Sequence, residues 1–519
     1  MYKNEVNEKL DKMVYDGTLS AIFNERFIGY VTPQMFGAVG DGITDDSVAI
    51  QMAFDYSERV VFPKGKYLFS GVTANKSMII DFYDAELVPI YYDNTNNVFR
   101  NFFTFNVCKY VEINGLSFVG TPTTVNGVKV VGTESIVVFN ECDNVRVNNW
   151  NIENIVLNNK TDTPLTFADR QGGVFTAIDT HLHIDKCTFK NIHGDDWVWV
   201  CYKRDTSRSS VDVTNTLFEN GTGYSCVSAL CGSGTIRNCV FKSVSYNGSL
   251  ANLITLNSVF EYNAIRDCVV GSIIDCCEDA IGFADSVSIN NNMCYGSVVD
   301  CFCYVASKVA YIKNNVVTCR SFLYTNAPVT GNILRNGVPS EIKMFIEGNI
   351  GECLGHDTLH SNRGFLYLGF EYESSVWYNG YSEVTLKNNT FYRSGNNKNN
   401  VCISCVDLSK LIAENNKLFF GQLYGTTAIR FNCISLSLTS FTSTAFELYN
   451  NTFDGRDISS NSTNNGVLIT FGTVTNLELR AILNMMTNYV GSVIIYSGAY
   501  GNIVSDIKSN INIADMATV

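Results

Sequence analysis

The sequence predicts an all-β fold, a single-stranded parallel β-helix in which successive coils of the chain stack as a solenoid. Three observations predict it. First, a four-residue pattern recurs: an aliphatic residue, any residue, a polar residue that is often asparagine, then a small or apolar one. It appears at Ile113-Asn114-Gly115-Leu116, Val147-Asn148-Asn149-Trp150, Ile184-Asp185-Lys186-Cys187, Val213-Thr214-Asn215-Thr216, Ile236-Arg237-Asn238-Cys239, Ile265-Arg266-Asp267-Cys268 and Ile289-Asn290-Asn291-Asn292, and continues to Leu448-Tyr449-Asn450-Asn451. Second, its third position advances by 23 to 40 residues at a time, and a step of 23, as from Asn291 to Asn314, is one bare coil. Third, Phe36 to Tyr67 has the grammar of a cap. One coil buries too little of its own apolar face, so neighbours must stack, like above like, about 4.8 Å apart. Asparagines at a shared corner then form a hydrogen-bonded ladder, and inward Val, Ile, Phe and Cys form a column. The longer steps carry loops, and loops on a rigid scaffold are where function concentrates.

Gly37, Gly40 and Gly42 open the cap as a loop that needs torsions closed to other residues. Thr44, Asp45 and Asp46 offer N-cap oxygens and negative charge at the positive end of a helix dipole. Ala49, Met52, Ala53 and Tyr56 follow at helical spacing as one apolar face. Val60 to Phe62 reads as a short strand, Pro63-Lys64-Gly65 as a tight turn, and Tyr67, Phe69 and Val72 as extended chain. The clustered carboxylates Asp41, Asp45 and Asp46 fit loop and helix capping better than catalysis. The glycines carry no Walker lysine and no GxGxxG. This stretch resembles the opening motif of the pectate-lyase-like, right-handed parallel β-helix superfamily, whose usual form is FGA-GDG-TDDT-AIQ-A followed by V-FP-G-Y. The resemblance implies a right-handed solenoid. It also implies the activities of a superfamily that includes pectin-degrading enzymes and phage tailspikes that bind or cut bacterial surface glycans.

The chain divides into an N-terminal helical attachment segment over 1–30, the cap over 31–95, the parallel β-helix over 96–475 and a closing segment over 476–519. In the first, Val6, Leu10, Met13 and Val14 share one face, and Leu19, Ile22, Phe23 and Phe27 resume it after Asp16-Gly17-Thr18. So short a helical pair is marginal alone and needs a particle, the solenoid end or symmetry mates to pack on. Its run EKLDKMVYDGTLSAIFNE is similar to segments ahead of tail proteins in phages of Gram-positive bacteria, which implies attachment to a phage tail or baseplate. After about Val474 the pattern is lost, and Leu477, Leu479, Ile482 and Leu483 are expected to close the exposed end against edge pairing.

The 519 residues carry a net charge of −13, which makes nucleic acid an unsuitable partner but leaves acidic glycans open if local arginines or a metal hold them. With 7 prolines and 17% charged residues, long disordered linkers are not expected. Met1 to Met13 is charged and lacks an apolar core, so no signal peptide is expected, and no run approaches a membrane span. The 18 cysteines lack metal or secreted-domain spacing and read as small buried hydrophobes in the reduced state. Synthesis in a host cytoplasm and a place in the virion tail fit these facts.

Glycan cleavage needs a pair of carboxylates with split pKa values, or a base with an acid, or a carboxylate-bound cation with a basic residue. The first candidate is His193-Gly194-Asp195-Asp196-Trp197-Val198-Trp199. Strand alternation points Val198 and Val200 inward and gives Asp195, Trp197 and Trp199 the outer face, where indoles pack on sugar faces. The GDD run is similar to the paired aspartates of the polygalacturonase branch, so the resemblance assigns Asp195 and Asp196; that branch's NTD, GHG and RIK are missing. The second candidate is Glu278 with Asp279, and Asp300 lies one coil from them. Asp195 and Glu278 are three coils apart, about 14 Å by stacking, beyond a catalytic pair. Arg204 and Arg208, with Lys203, follow in one loop and are suited to an acidic sugar. His356, Asp357, His360 and Arg363 form a third cluster, and His181 and His183 read as a satisfied surface pair beside Asp179. No metal site is assigned, and no cofactor is expected unless a lyase uses a divalent cation. The expected function is a homotrimeric phage tailspike that binds and cleaves a bacterial surface polysaccharide. The alternatives are a tail adhesin that only binds, and a free pectinase-like enzyme, which the phage-like N-terminus disfavours.

Overall fold

A computed structural model describes residues 29–512 except 91–97, 100, 121–122, 126–127, 131, 134, 158–172, 204, 277–283, 326–341, 355–364, 369–382, 395–400, 407–408, 421–430, 455–463, 488–493 and 509–510. The helical attachment segment expected over 1–30 lies almost wholly outside these residues. The chain forms two compact units, Met1–Asn247 and Gly248–Val519. Among the described residues no helix is long and apolar enough to cross a membrane.

The first unit opens with the cap. Gly40 and Gly42 take φ of 67° and 78°, the left-handed region that penalises any Cβ. The three aspartates tie this loop down. Buried Asp46 accepts from the backbone N–H of Val39 at 2.7 Å and of Gly40 at 3.2 Å. Asp41 accepts from Ile43 and Thr44, and Asp45 from the Ser47 amide. The helix Ser47–Tyr56 buries Ala49, Ile50, Ala53 and Phe54. The expected face of Ala49, Met52, Ala53 and Tyr56 is thus rotated. Phe54 takes the inner position because it stacks on Phe103, with ring centroids 5.8 Å apart, and covers the end of the core. Strand Arg59–Phe62 then pairs in parallel with Met78–Phe82, and Gly65–Phe69 with Ala85–Pro89.

Behind the cap the coils pair in parallel, each with the next, and Thr123–Val125 with Val128–Val130 forms an antiparallel pair set apart from them. Ile113, Val147, Ile184, Val213 and Ile236 sit above one another in register. Each is fully buried, so the aliphatic position of the sequence pattern is the core position. Aromatic rings stack along the same interior, as Phe189, Phe218 and Phe241 do at 5.3 and 5.0 Å. The third position is a left-handed corner: Gly115, Asn149, Lys186, Asn215 and Asn238 all have φ between 51° and 75°. Asparagine and glycine recur there because they tolerate that region at least cost. The fourth position points inward and satisfies the backbone. Trp150 donates from Nε1 to the Ile113 carbonyl, and the Cys187 thiol points to that of Val147.

In the second unit the fourth position becomes an asparagine ladder. Asn263, Asn292, Asn315, Asn349, Asn389, Asn416, Asn451 and Asn484 are buried. The first seven each donate from the side-chain amide to the Oδ1 of the next at 2.9–3.1 Å. From Asn292 onward each also donates to a buried carbonyl of the preceding coil, as Asn349 does to Ile312. The ladder expected at a shared corner is therefore present, displaced by one residue from the marker. One coil was misplaced. The corner of its strand is Tyr262, with Phe260 opposite Ile289, while Ile265 stands opposite Cys294 on the next side. Asp267 misleads because it too is left-handed, at φ 53°. Parallel pairing also continues beyond residue 475, Val474 opposite Tyr500 and Ile482 opposite Lys508. The thirteen described cysteines are all free and buried.

Candidate functional site

The GDD run lies in strand Thr188–Cys201 of the first unit. Its register neighbour is Leu217–Arg237, with Asp196 opposite Ser225 and Trp199 opposite Ser228. Asp196 is only 1% exposed, and its Oδ1 accepts from the hydroxyls of Ser225 and Ser228, both at 2.6 Å. The two hydroxyls are themselves 2.7 Å apart. This is a buried polar knot. The side chain of Asp195 lies outside the description.

Trp197 and Trp199 are not on an open outer face, which corrects the sequence expectation. They are 0% and 1% exposed, and Val198 and Val200 are buried beside them. Alternation sorts inside from outside only where one face meets water; here both faces are covered. Trp197 packs at 5.8 Å from Phe218 and 6.1 Å from Tyr246. Both indole N–H groups are buried without a hydrogen-bond partner among the described residues. Neither indole can stack on a sugar in this arrangement. Arg208 is exposed, at the end of a 3₁₀ turn whose N-cap Asp205 accepts from the Ser207 amide at 2.9 Å. Arg204 lies outside the described residues, as do Glu278, Asp279, His356, Asp357, His360 and Arg363.

In the second unit Asp300 is half-buried and paired with Arg320 at 2.6 Å. Beyond it runs a row that the sequence reading missed. Asp275 stands opposite Tyr304, which is opposite Tyr324, which is opposite Tyr367. The rings follow each other at 5.6 and 5.0 Å. Its signal was available as a recurring Phe-x-Tyr: Phe302-Cys303-Tyr304, Phe322-Leu323-Tyr324 and Phe365-Leu366-Tyr367. The phenylalanines form a parallel buried row of their own, with ring centroids 5.3 and 5.9 Å apart.

His181 and His183 occupy a sheet face of the first unit. His181 meets the Ser210 hydroxyl at 2.8 Å through Nδ1, and His183 meets Asp212 Oδ2 at 3.0 Å. The hydrogen bond that His183 donates to Asp212 raises the His183 pKa above its ordinary value. The pair therefore adds stability that is fully present below about pH 6.5 and is lost as pH rises through the raised pKa. Both groups are partly exposed, so the effect is at most about 1 kcal/mol. Asp212→Asn is expected to flatten this pH dependence in urea titrations, and an unchanged profile would disprove the pairing. Among the described residues no three His, Cys, Asp or Glu side chains gather as a metal site.

Residues 33–248 match the family model of rhamnogalacturonase A/epimerase, pectate lyase-like. This segment is pectate lyase-like. The pectate lyase-like segment holds Asp196, both tryptophans, Arg208 and the two histidines, whereas Asp300 and the tyrosine row lie past its end. Among curated proteins, a capsule K30/K69-specific depolymerase of Klebsiella phage K64-1 is 54% identical over 41 residues. That stretch is 8% of this chain and 5% of the depolymerase, so the likeness spans a small part of either. Among solved structures, the family 28 exopolygalacturonase of Yersinia enterocolitica aligns at TM-score 0.40 and 12% identity, over 79% of this chain and 78% of its own. The tailspike of E. coli bacteriophage HK620, solved with a pentasaccharide, aligns at TM-score 0.37 and 12% identity, over 86% and 79%.

Proposed function

We propose that this chain is a phage tailspike that binds and cleaves a polysaccharide of its host's surface, by hydrolysis or β-elimination. The observation that carries the proposal is the pectate lyase-like match across the first unit, a fold family named for enzymes that cut polysaccharide. The 41-residue likeness to a phage capsule depolymerase supports the phage setting. In this reading the protein is a homotrimer made in the host cytoplasm, placed in the virion tail and attached to tail or baseplate through residues 1–30. Asp195, Asp196, Glu278, Asp279 and Asp300 remain the carboxylates to substitute.

A second reading, an adhesin that binds glycan without cutting it, is favoured by one observation: Asp196 is closed off by two serines and the tryptophans are buried. Release of reducing ends from capsule and wall glycans of candidate hosts separates the two. The tailspike enzyme is expected to release them. Saturable binding with no release from any glycan that it retains would leave the adhesin.

A further inference from the structure

The sheet face carrying His183 has features that an ordinary solvated face lacks. Glu112, Arg146, His183 and Asp212 stand opposite one another on four consecutive coils. Adjacent members are therefore about 4.8 Å apart in backbone. Arg146 is exposed, and no ion pair holds it among the described residues. Its acidic neighbour Glu112 is already engaged: Oε2 takes the Tyr110 hydroxyl and Oε1 the Asn114 amide at 3.1 Å. On the far side, Asp212 binds His183 through Oδ2, and its Oδ1 is buried without a hydrogen-bond partner. By contrast, the charged row of the second unit is paired off, Lys313 with Glu347 and Lys387 with Glu414, both at 2.9 Å.

From this juxtaposition we infer that Arg146, His183 and Asp212 form a uronate-handling site whose chemistry is β-elimination. The inference deepens the polysaccharide-cleaving reading above and rests on it. A free guanidinium beside an oriented imidazole matches a sugar carboxylate: the planar fork takes both carboxylate oxygens. With Nδ1–H donated to Asp212, the Nε2 lone pair of His183 is left as a base. In the reaction Nε2 takes the proton on the carbon next to the carboxylate. Arg146 stabilises the negative charge that develops there. The bond from the neighbouring carbon to the glycosidic oxygen breaks, a carbon–carbon double bond forms, and the departing oxygen takes the proton back from Nε2. The imidazole ends as it began. Asp212 is a positioning residue, acting through the histidine.

His183 faces Arg146 on one coil, Asp212 on the other, and His181 and Asp185 along its own strand. The nearby carboxylates hold its proton, so cleavage is expected to rise with pH through a pKa above the ordinary histidine value, and Asp212→Asn is expected to move that limb to lower pH.

The chain has 5 histidines, so their imidazole proton signals can be assigned by substitution. Titration with galacturonate and glucuronate oligomers is expected to shift the His183 signal saturably, while maltotriose does not. Arg146→Ala is expected to abolish the shift and Arg146→Lys to keep part of it. Absence of any shift with either uronate would overturn the site whether or not the protein cleaves glycan. On a host glycan that yields reducing ends, the ultraviolet absorbance of unsaturated uronate should accompany them. His183→Gln should slow both by about 10²- to 10⁴-fold, the contribution of a general base, with melting lowered by no more than the loss of the His183–Asp212 pair. Release that survives His183→Gln would overturn this site and leave the depolymerase standing.

Discussion

Asn349→Leu is expected to destabilise the second unit by about 3–9 kcal/mol, since it leaves three buried polar groups short of a partner at about 1–3 each. Asn349 is fully buried. Its Oδ1 accepts from the Asn315 backbone amide at 3.0 Å and from the Asn315 side chain at 2.9 Å. Its Nδ2 donates to the Ile312 carbonyl at 2.8 Å. Leucine fills the space but strands two donors and one carbonyl where no water reaches. The control is Asn450→Ala. Asn450 is an exposed corner at φ 52°, so alanine pays the left-handed penalty, about 1–2 kcal/mol, and loses one exposed hydrogen bond to Asn415 Oδ1, with no buried group stranded. A solenoid need not unfold in one step, so the reading is local. Hydrogen exchange at the Asn315 amide should accelerate far more in Asn349→Leu than in Asn450→Ala. Equal acceleration would mean that the ladder is decoration on a stack held by its aliphatic column.

That contrast also shows what the sequence could reveal. The corner pattern was legible because two constraints act on neighbouring residues: a left-handed torsion at one, as in Asn314 and Asn388, and a buried amide at the next, as in Asn315 and Asn389. Both demand the same few residue types, so the chain repeats them. Asp267 was misassigned because the next corner imposes the same torsion without the buried amide. Asp41 and Asp45 were legible because their partners, such as Thr44 and Ser47, lie two or three residues away. Asp46 turns back to Val39 and Gly40 in the loop instead of capping the helix with its side chain. The sites were less so. The partner of His183 is on the next coil, 29 residues on, and nothing local marks it. The outward assignment of Trp197 and Trp199 rested on two-residue alternation, which is silent about a strand covered on both faces.

Trp197→Ala is expected to cost about 3–5 kcal/mol, as other buried tryptophan truncations do, and to lower the melting temperature of the first unit. A tryptophan that served only to hold sugar would cost almost nothing in stability when removed. The packing argues for the large effect. The indole lies between Phe218 and Tyr246 and directly over Gly221. A Cβ at Gly221 would meet the indole Cζ2 at 2.1 Å and the Ile192 carbonyl at 2.3 Å, so Gly221→Ala is expected to be disruptive too. Removing the indole relieves the first clash and leaves the backbone one, so the double variant should stay destabilised. Trp197→Phe is the informative substitution. It keeps much of the ring contact and deletes an N–H that is buried without a partner among the described residues. Loss of volume and relief of an unsatisfied donor oppose each other, so phenylalanine should fall well within the alanine cost. A melting order with phenylalanine near wild type and alanine far below identifies a core residue. An alanine variant that melts normally but no longer binds glycan would return Trp197 to the binding surface.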